Sequence, residues 1–226
     1  RPSPDGRRLA FTALDKLWVM DMPGGAPRRL TRSPHEIGEH SPVWSPDGRF
    51  IAYISWTENG GDIHRIPAAG GNPERLTRQS AFYTDVNYTP NGQRLVAYRA
   101  PRQPRLEEGF NYGREVVWIP ATGGAVTSIA PLGGQAGFPQ FTRDDNERIY
   151  IAQGGQGLVS MRFDGTDRKT HLRITGNPDY RTPNSTPSNA SEIQISPEGD
   201  RALAEVDNNI FVLDIPMVGA TAPPIS

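Results

Sequence analysis

The sequence contains no cysteine. Disulfide frames, thiol nucleophiles and cysteine-ligated metals are therefore excluded. Charge of one sign is also missing: 24 basic residues against 25 acidic ones leave a formal net charge of −1. That balance gives no electrostatic reason to expect nucleic acid as a partner. No apolar run approaches the roughly 18 residues of a membrane span, so membrane insertion is not expected. The opening residues, RPSPDGRRLAF, lack the apolar stretch of a signal peptide and begin in mid-pattern. No targeting segment is expected within this stretch.

Catalytic signatures are missing too. The histidines are His35, His40, His64 and His171, and no two have H-x-H or H-E-x-x-H spacing. There is no G-x-S-x-G elbow, and Ser160 lies in GLVSM, which reads as a strand. Neither a P-loop nor a dinucleotide fingerprint is present. FDGTD and TRDDNE lack the ligand spacing of a calcium loop and read as polar hairpin turns. No catalytic residue, metal ligand or cofactor is expected in this segment.

What the sequence does have is glycine and proline, 24 and 22 residues, and a repeat. SPDG at Ser3–Gly6 returns at Ser45–Gly48, then as TPNG at Thr89–Gly92 and SPEG at Ser196–Gly199. A degenerate copy, TRDDNE, starts at Thr142, so successive copies are 42, 44, 53 and 54 residues apart. Ser suits the first position of a type I turn, Pro presets φ at the second, and Gly takes the left-handed bulge position. Each turn therefore joins two antiparallel strands. In the degenerate copy Asn146 is suited to the left-handed position.

Before the turns the pattern has period two, with Trp44, Tyr88, Phe141 and Ile195 on the more apolar face. Pro42 and Pro139 imply strand positions that need no N–H. A second strand follows each turn (RRLAF, RFIAY, QRLVAY, ERIYIA, DRALAEV). A third is mostly apolar on both faces (KLWVMDM, DIHRIPA, EVVWIPA, GLVSMRF, NIFVLDI), as in a strand covered on both sides. A short fourth follows a Gly turn, as in GGAPRRLT and GGNPERLT; in the last copies it weakens to DGTDRKTHL and VGATAPPIS. Four short strands per repeat, at the shorter spacings of 42 and 44 residues, match a propeller blade. The expected fold is all-β: a β-propeller of four-stranded antiparallel blades with five repeats, the first lacking its innermost strand. The repeats run about 1–32, 33–78, 79–131, 132–175 and 176–226, and are expected to form one propeller segment of a longer chain. Either a ring closes at five blades or further blades lie outside the segment.

SPDGRFIAY, LWVMD and GGAPRRLT, with their near-copies, resemble the TolB-like, or WD-like, propeller repeat. The resemblance covers nearly the whole chain. It extends to TolB itself, to the propellers of prolyl oligopeptidase-like and tricorn-like peptidases, and to a propeller preceding bacterial metal-dependent amidohydrolases. DKLWVMDMPGGAPRRLT and FVLDIPMVGATAPPIS are most similar to the last group. That resemblance implies a bacterial, periplasmic or secreted, non-catalytic domain serving docking, gating or protein interaction. Its partner is then another protein or a covalently linked catalytic domain, with a divalent metal in the parent if that domain is an amidohydrolase. The alternative is a stand-alone TolB-like scaffold that binds proteins.

In an antiparallel blade the SPDG and GG turns share one end, and the long connections share the other. Candidate binding residues therefore fall at the long-connection end. Glu39 and His40 open an innermost strand, where a carboxylate can orient the imidazole. Tyr83, Asp85 and Glu192 join them as possible lining of a polar funnel. Segment 100–115 adds Arg105, Glu107, Glu108, Phe110 and Tyr112, an aromatic and charged mixture that suits an interface. Segment 174–192, rich in Asn, Ser, Thr and Pro, reads as a linker-like crossing. His64, where other repeats have Trp18, Val117, Val159 and Phe211, is expected to be a packed histidine with one nitrogen satisfied.

Overall fold

The computed structural model describes residues 1–100, 113–134, 136–176, 190 and 192–215. The chain falls into two compact units, Arg1–Leu132 and Gly133–Ser226. The first unit holds three sheets. Blade one is β1 (Arg8–Ala13), β2 (Lys16–Asp21) and β3 (Arg28–Arg29). Blade two is β4 (Gly38–Trp44), β5 (Phe50–Thr57), β6 (Gly60–Pro67) and β7 (Glu74–Arg75). Blade three is β8 (Phe82–Tyr88), β9 (Arg94–Ala100), β10 (Glu115–Pro120) and β11 (Thr127–Pro131). The second unit holds blade four, β12 (Arg148–Gln153), β13 (Gly157–Arg162) and β14 (Lys169–Leu172), and blade five, β15 (Glu192–Ile195), β16 (Arg201–Val206) and β17 (Asn209–Asp214). Strands pair antiparallel with their sequence neighbours, and the described residues include no helix. Each sheet lies within one of the five repeat intervals.

The repeated turn is built as its residues dictate. Gly6, Gly48, Gly92 and Gly199 donate their N–H to the carbonyl of the Ser or Thr three residues back, at 2.8–3.0 Å. All four adopt φ between +69 and +76°, where a side chain would be strained. The Asp anchors the turn from within: Asp47 Oδ1 accepts from Ser45 Oγ at 2.5 Å and from the Arg49 N–H at 3.0 Å. Asp5 makes the same pair of bonds with Ser3 and Arg7, and Asn91 makes it with Thr89 and Gln93. These bonds hold the carboxyls of Asp5 and Asp47 below the ordinary aspartate range, the serine hydroxyl first and the backbone N–H second.

Hydrophobic burial follows the period-two pattern within each unit. Ala10, Leu17 and Val19 of blade one form one core cluster with Trp44, Ile51, Tyr53 and Ile66 of blade two. Ala52, Ile54 and Ile63, on the equivalent face of blade two, join Tyr83, Val86, Tyr88 and Leu95 of blade three. In the second unit Leu158 and Ala152 pack on Ile193, Ala202 and Ala204. The innermost strands β4 and β8 each carry a bulge, where the pairing shifts between His40 and Val43 and between Thr84 and Asn87. Ser41 and Asp85 sit in these bulges at φ 51° and 56°. Pro42 lies inside the first bulge, where no ladder N–H is required.

Three expectations need correction or limits. The innermost strand of blade four is reduced to isolated bridges, Ala136 with Gln153 and Gln140 with Tyr150. Pro139 interrupts the ladder there, and the Gln140 side chain takes over: its amide donates to Ile193 O at 2.7 Å and accepts from the Ile195 N–H at 2.8 Å. In blade five the third strand is not covered on both faces, since Ile210 is 72% and Val212 67% exposed. No described neighbour packs on that side. The fourth strand expected from VGATAPPIS lies outside the described residues. Blade one does lack its innermost strand; only a Pro2–Leu9 bridge stands in its place.

Candidate functional site

Glu39 lies at the start of β4 and is 1% exposed. Its carboxylate turns into the fold, where Oε2 accepts from the Leu17 N–H at 2.8 Å and from Thr31 Oγ1 at 2.6 Å. Oε1 has no protein partner. Glu39 therefore ties blade two to blade one through the threonine that ends GGAPRRLT. The matching threonine of blade two bonds within its own blade instead: Thr77 Oγ1 accepts from the Ile63 N–H and donates to Asp62 Oδ1 at 2.8 Å. Beside Glu39, Lys16 Nζ is held by the carbonyls of Pro34, His35 and Ile37 at 2.5–3.2 Å. The loop 33–37 is thus folded over a buried ammonium.

His40 is half-buried and meets Trp56 edge-on at 5.5 Å between ring centroids. A Cβ on Gly38 would stand 2.7 Å from His40 Nε2, so glycine there leaves room for the imidazole. Trp56 meets Phe82 in turn at 6.2 Å and donates its indole N–H to Tyr83 O at 3.0 Å. This aromatic run joins the entrances of blades two and three. Tyr83 itself is fully buried, and its hydroxyl donates to Gln79 O at 3.1 Å. Burial pushes its pKa upward. Asp85 stays half-buried, 3.8 Å from Arg114, whose guanidinium lies over the Tyr98 ring.

Around these residues runs a charge network that the sequence reading did not single out. Asp62 accepts from Thr77 and Ser80 and pairs with Arg75 at 2.9 Å. Arg99 donates twice to Glu115 Oε1, and Ser128 bonds the other carboxylate oxygen. Asp62 and Glu115 stand at or near the starts of β6 and β10, and their partners come from other segments of the chain. Glu192 lies in the second unit, where Gln194 Nε2 donates to it at 2.6 Å. Arg105, Glu107, Glu108, Phe110 and Tyr112 lie outside the described residues. His64 stacks on Tyr53 at 5.5 Å, its pKa lowered chiefly by burial, and its Nδ1 has no partner.

Two further features lie elsewhere. At the turn end of the first unit a cavity of about 420 Å³ opens between blades two and three, lined by Asp47, Phe50, Arg65, Tyr88, Asn91 and Gln93 among others. Arg65 crosses it, stacked on Phe50 and bonded to Ala121 O at 2.8 Å. In blade four Ser160 Oγ stands 2.6 Å from His171 Nε2. Arg148 also donates to that hydroxyl at 2.9 Å, and Ser160 has no exposed surface. A substrate cannot reach such a hydroxyl, and the pair holds strands together. No group of three or more His, Asp or Glu among the described residues is arranged to hold a metal.

No protein-family model matches the chain. Tricorn protease homolog 1 of Streptomyces coelicolor is 30% identical over 79% of this chain and 17% of its own length. The uncharacterised peptidase YuxL of Bacillus subtilis is 45% identical over 42% of this chain and 20% of its own. The chain thus spans no more than a fifth of either relative. A solved putative TolB from Agrobacterium tumefaciens matches with a TM-score of 0.63 and 19% identity, covering 93% of this chain and 70% of that one. The fold is that of a TolB-like propeller: an all-β chain of small antiparallel sheets, each built from one repeat.

Proposed function

We propose that this chain is the non-catalytic propeller portion of a bacterial hydrolase, where it docks or gates the catalytic part. The observation that carries this reading is the likeness to tricorn protease homolog 1, of which the chain spans 17%. In that reading the rest of such a protein holds the chemistry. The interior of the site fits the role: Glu39, Tyr83, Asp62 and Glu115 are engaged by their own fold, and Ser160 is sealed. Half-buried His40, Trp56 and Asp85 lie at that end, and in this reading a partner domain docks beside them. The named relatives favour a peptidase as the catalytic part, and the repeat sequences favour an amidohydrolase. A periplasmic location follows from the same resemblance.

The test compares the isolated 226-residue chain with the full polypeptide on peptide and amide substrates. Turnover by the full polypeptide alone is expected. Turnover by the isolated chain overturns the non-catalytic assignment. A full polypeptide without hydrolytic activity favours the second reading, a TolB-like binding scaffold. The match to the putative TolB, of which the chain spans 70%, supports that second reading.

A further inference from the structure

The first unit builds the same joint twice at its turn end, and one copy lacks a part. Between blades one and two the joint is closed by Arg8, the second residue after SPDG. Its guanidinium lies over the Trp44 ring at 4.7 Å, with nitrogens 3.5 Å from Ala68 O and 3.5 Å from Gly48 O. Arg28 reaches the same Ala68 carbonyl at 3.3 Å, so two guanidiniums converge on it. Between blades two and three the repeat places Phe50 for Arg8, Tyr88 for Trp44, Gly92 for Gly48 and Ala121 for Ala68. Arg65 covers Phe50 at 4.8 Å, bonds Ala121 O at 2.8 Å and pairs with Glu74 at 2.8 Å. The other half of the joint is not filled. Neither Gly92 O nor the Tyr88 hydroxyl has a hydrogen-bond partner among the described residues, although Tyr88 is only 6% exposed. The cavity of about 420 Å³ lies here, lined by Tyr88, Gly92 and Asp47.

The unfilled half is chemically specific. An aromatic face, a carbonyl and a carboxylate together suit a guanidinium, which stacks on the ring and donates to the oxygens. An anion is disfavoured, because Arg65 Nε and Nη1 are engaged by Glu74 and Ala121 O while Asp47 brings a negative charge to the lining. Charge allows the guest. The filled joint sets Arg7, Arg8 and Arg28 beside Asp5, whereas the unfilled one sets Arg49 and Arg65 beside Asp47 and Glu74. We infer that this cavity is a guanidinium site, occupied by an arginine side chain of a peptide segment docked across the turns of blades two and three. The guest takes the place that Arg8 holds in the neighbouring joint. The inference is independent of whether the parent is a hydrolase.

The test titrates the full polypeptide with acetyl-Ala-Arg-Ala-amide by saturation-transfer NMR. The citrulline peptide of the same shape, which is neutral, is the control. The arginine peptide is expected to bind about tenfold tighter or more. Asp47→Asn keeps the turn bonds that Asn91 makes and should weaken the arginine peptide about three- to tenfold. Phe50→Arg restores the residue of blade one, fills the cavity from within and should abolish binding. Asp47→Asn keeps the test decisive if Phe50→Arg fails to fold. Equal affinity for the two peptides, or no binding of either, overturns the inference. So does arginine-peptide binding that neither substitution weakens, which places the peptide elsewhere. Tighter binding of acetyl-Ala-Glu-Ala-amide, lost in Phe50→Arg, would make the cavity an anion site and overturn it too.

Discussion

At the scale of single residues, the repeated turn and the Glu39 tie make separable predictions. Asp47 holds two hydrogen bonds, so Asp47→Ala is expected to cost about 0.5–1.5 kcal/mol in denaturant unfolding. Asn91 does the same job one blade on, so Asp47→Asn should cost much less. Equal costs for the two variants would rule out the side-chain acceptor as the reason for Asp. Glu39→Ala leaves the Leu17 N–H and the Thr31 hydroxyl without their buried acceptor, at about 1–3 kcal/mol for each unsatisfied group. Combining it with Thr31→Ala should cost less than the sum of the two single changes, as residues sharing one bond do. Additive costs would show that the hydroxyl and carboxylate act separately.

At the scale of strands and sheets, packing decides. Leu17 and Leu158 are fully buried, and Leu→Ala at either position should cost about 2–5 kcal/mol. Ile210→Ala in the same 226-residue chain should change stability by no more than about 0.5 kcal/mol, as at ordinary surface positions. A large loss at Ile210 would mean that its face is covered within this chain. Most of the architecture was legible in the sequence, because the turn residues and the two-residue alternation are local. Strands β4 to β11 fall where the pattern put them. Blade four was misread at its innermost strand because FPQF keeps the alternation while Pro139 withholds a donor. Nothing local reveals that the Gln140 amide replaces the missing ladder bonds with contacts 53 and 55 residues away. The site was less legible for the same reason. Glu39 and Tyr83 look like polar entrance residues in sequence, but whether a side chain turns inward depends on Thr31 and Gln79 of other segments.

For the whole molecule, pH is the simplest global probe. His64 and His171 both have pKa values lowered from 6.5, burial being the largest cause in each. For His64 the Asp62 and Glu39 charges oppose that lowering and Arg75 adds to it; for His171 Arg148 and Lys169 add to it. The folded state then prefers neutral imidazoles, while the unfolded chain takes up protons near the ordinary value. The stability they contribute is intact above about pH 6.5 and is lost as pH falls through the lowered folded values. The melting temperature should therefore drop between about pH 7.5 and pH 5. His64→Phe keeps the stack on Tyr53 and removes one titrating group, so its drop should be smaller than that of the unaltered chain. An unchanged drop would assign the effect to other groups.

The turns at one end of the blades also touch one another. A Cβ on Gly48 would lie 3.9 Å from Pro4 Cδ, and one on Gly92 would lie 3.4 Å from Pro46 Cδ. Each SPDG-type turn is a spacer for its neighbour as well as the closure of its own hairpin. An added residue in one of them would push against the adjoining hairpin; only the degenerate copy at Thr142 is one residue longer, with Gln140 opposite Tyr150 where Val43 stands opposite Ala52. Length variation in the sequence collects outside these turns, in segments 100–115 and 174–192. Sequence grafts, affinity tags or sensor loops should therefore be tolerated better in those segments than in the turns.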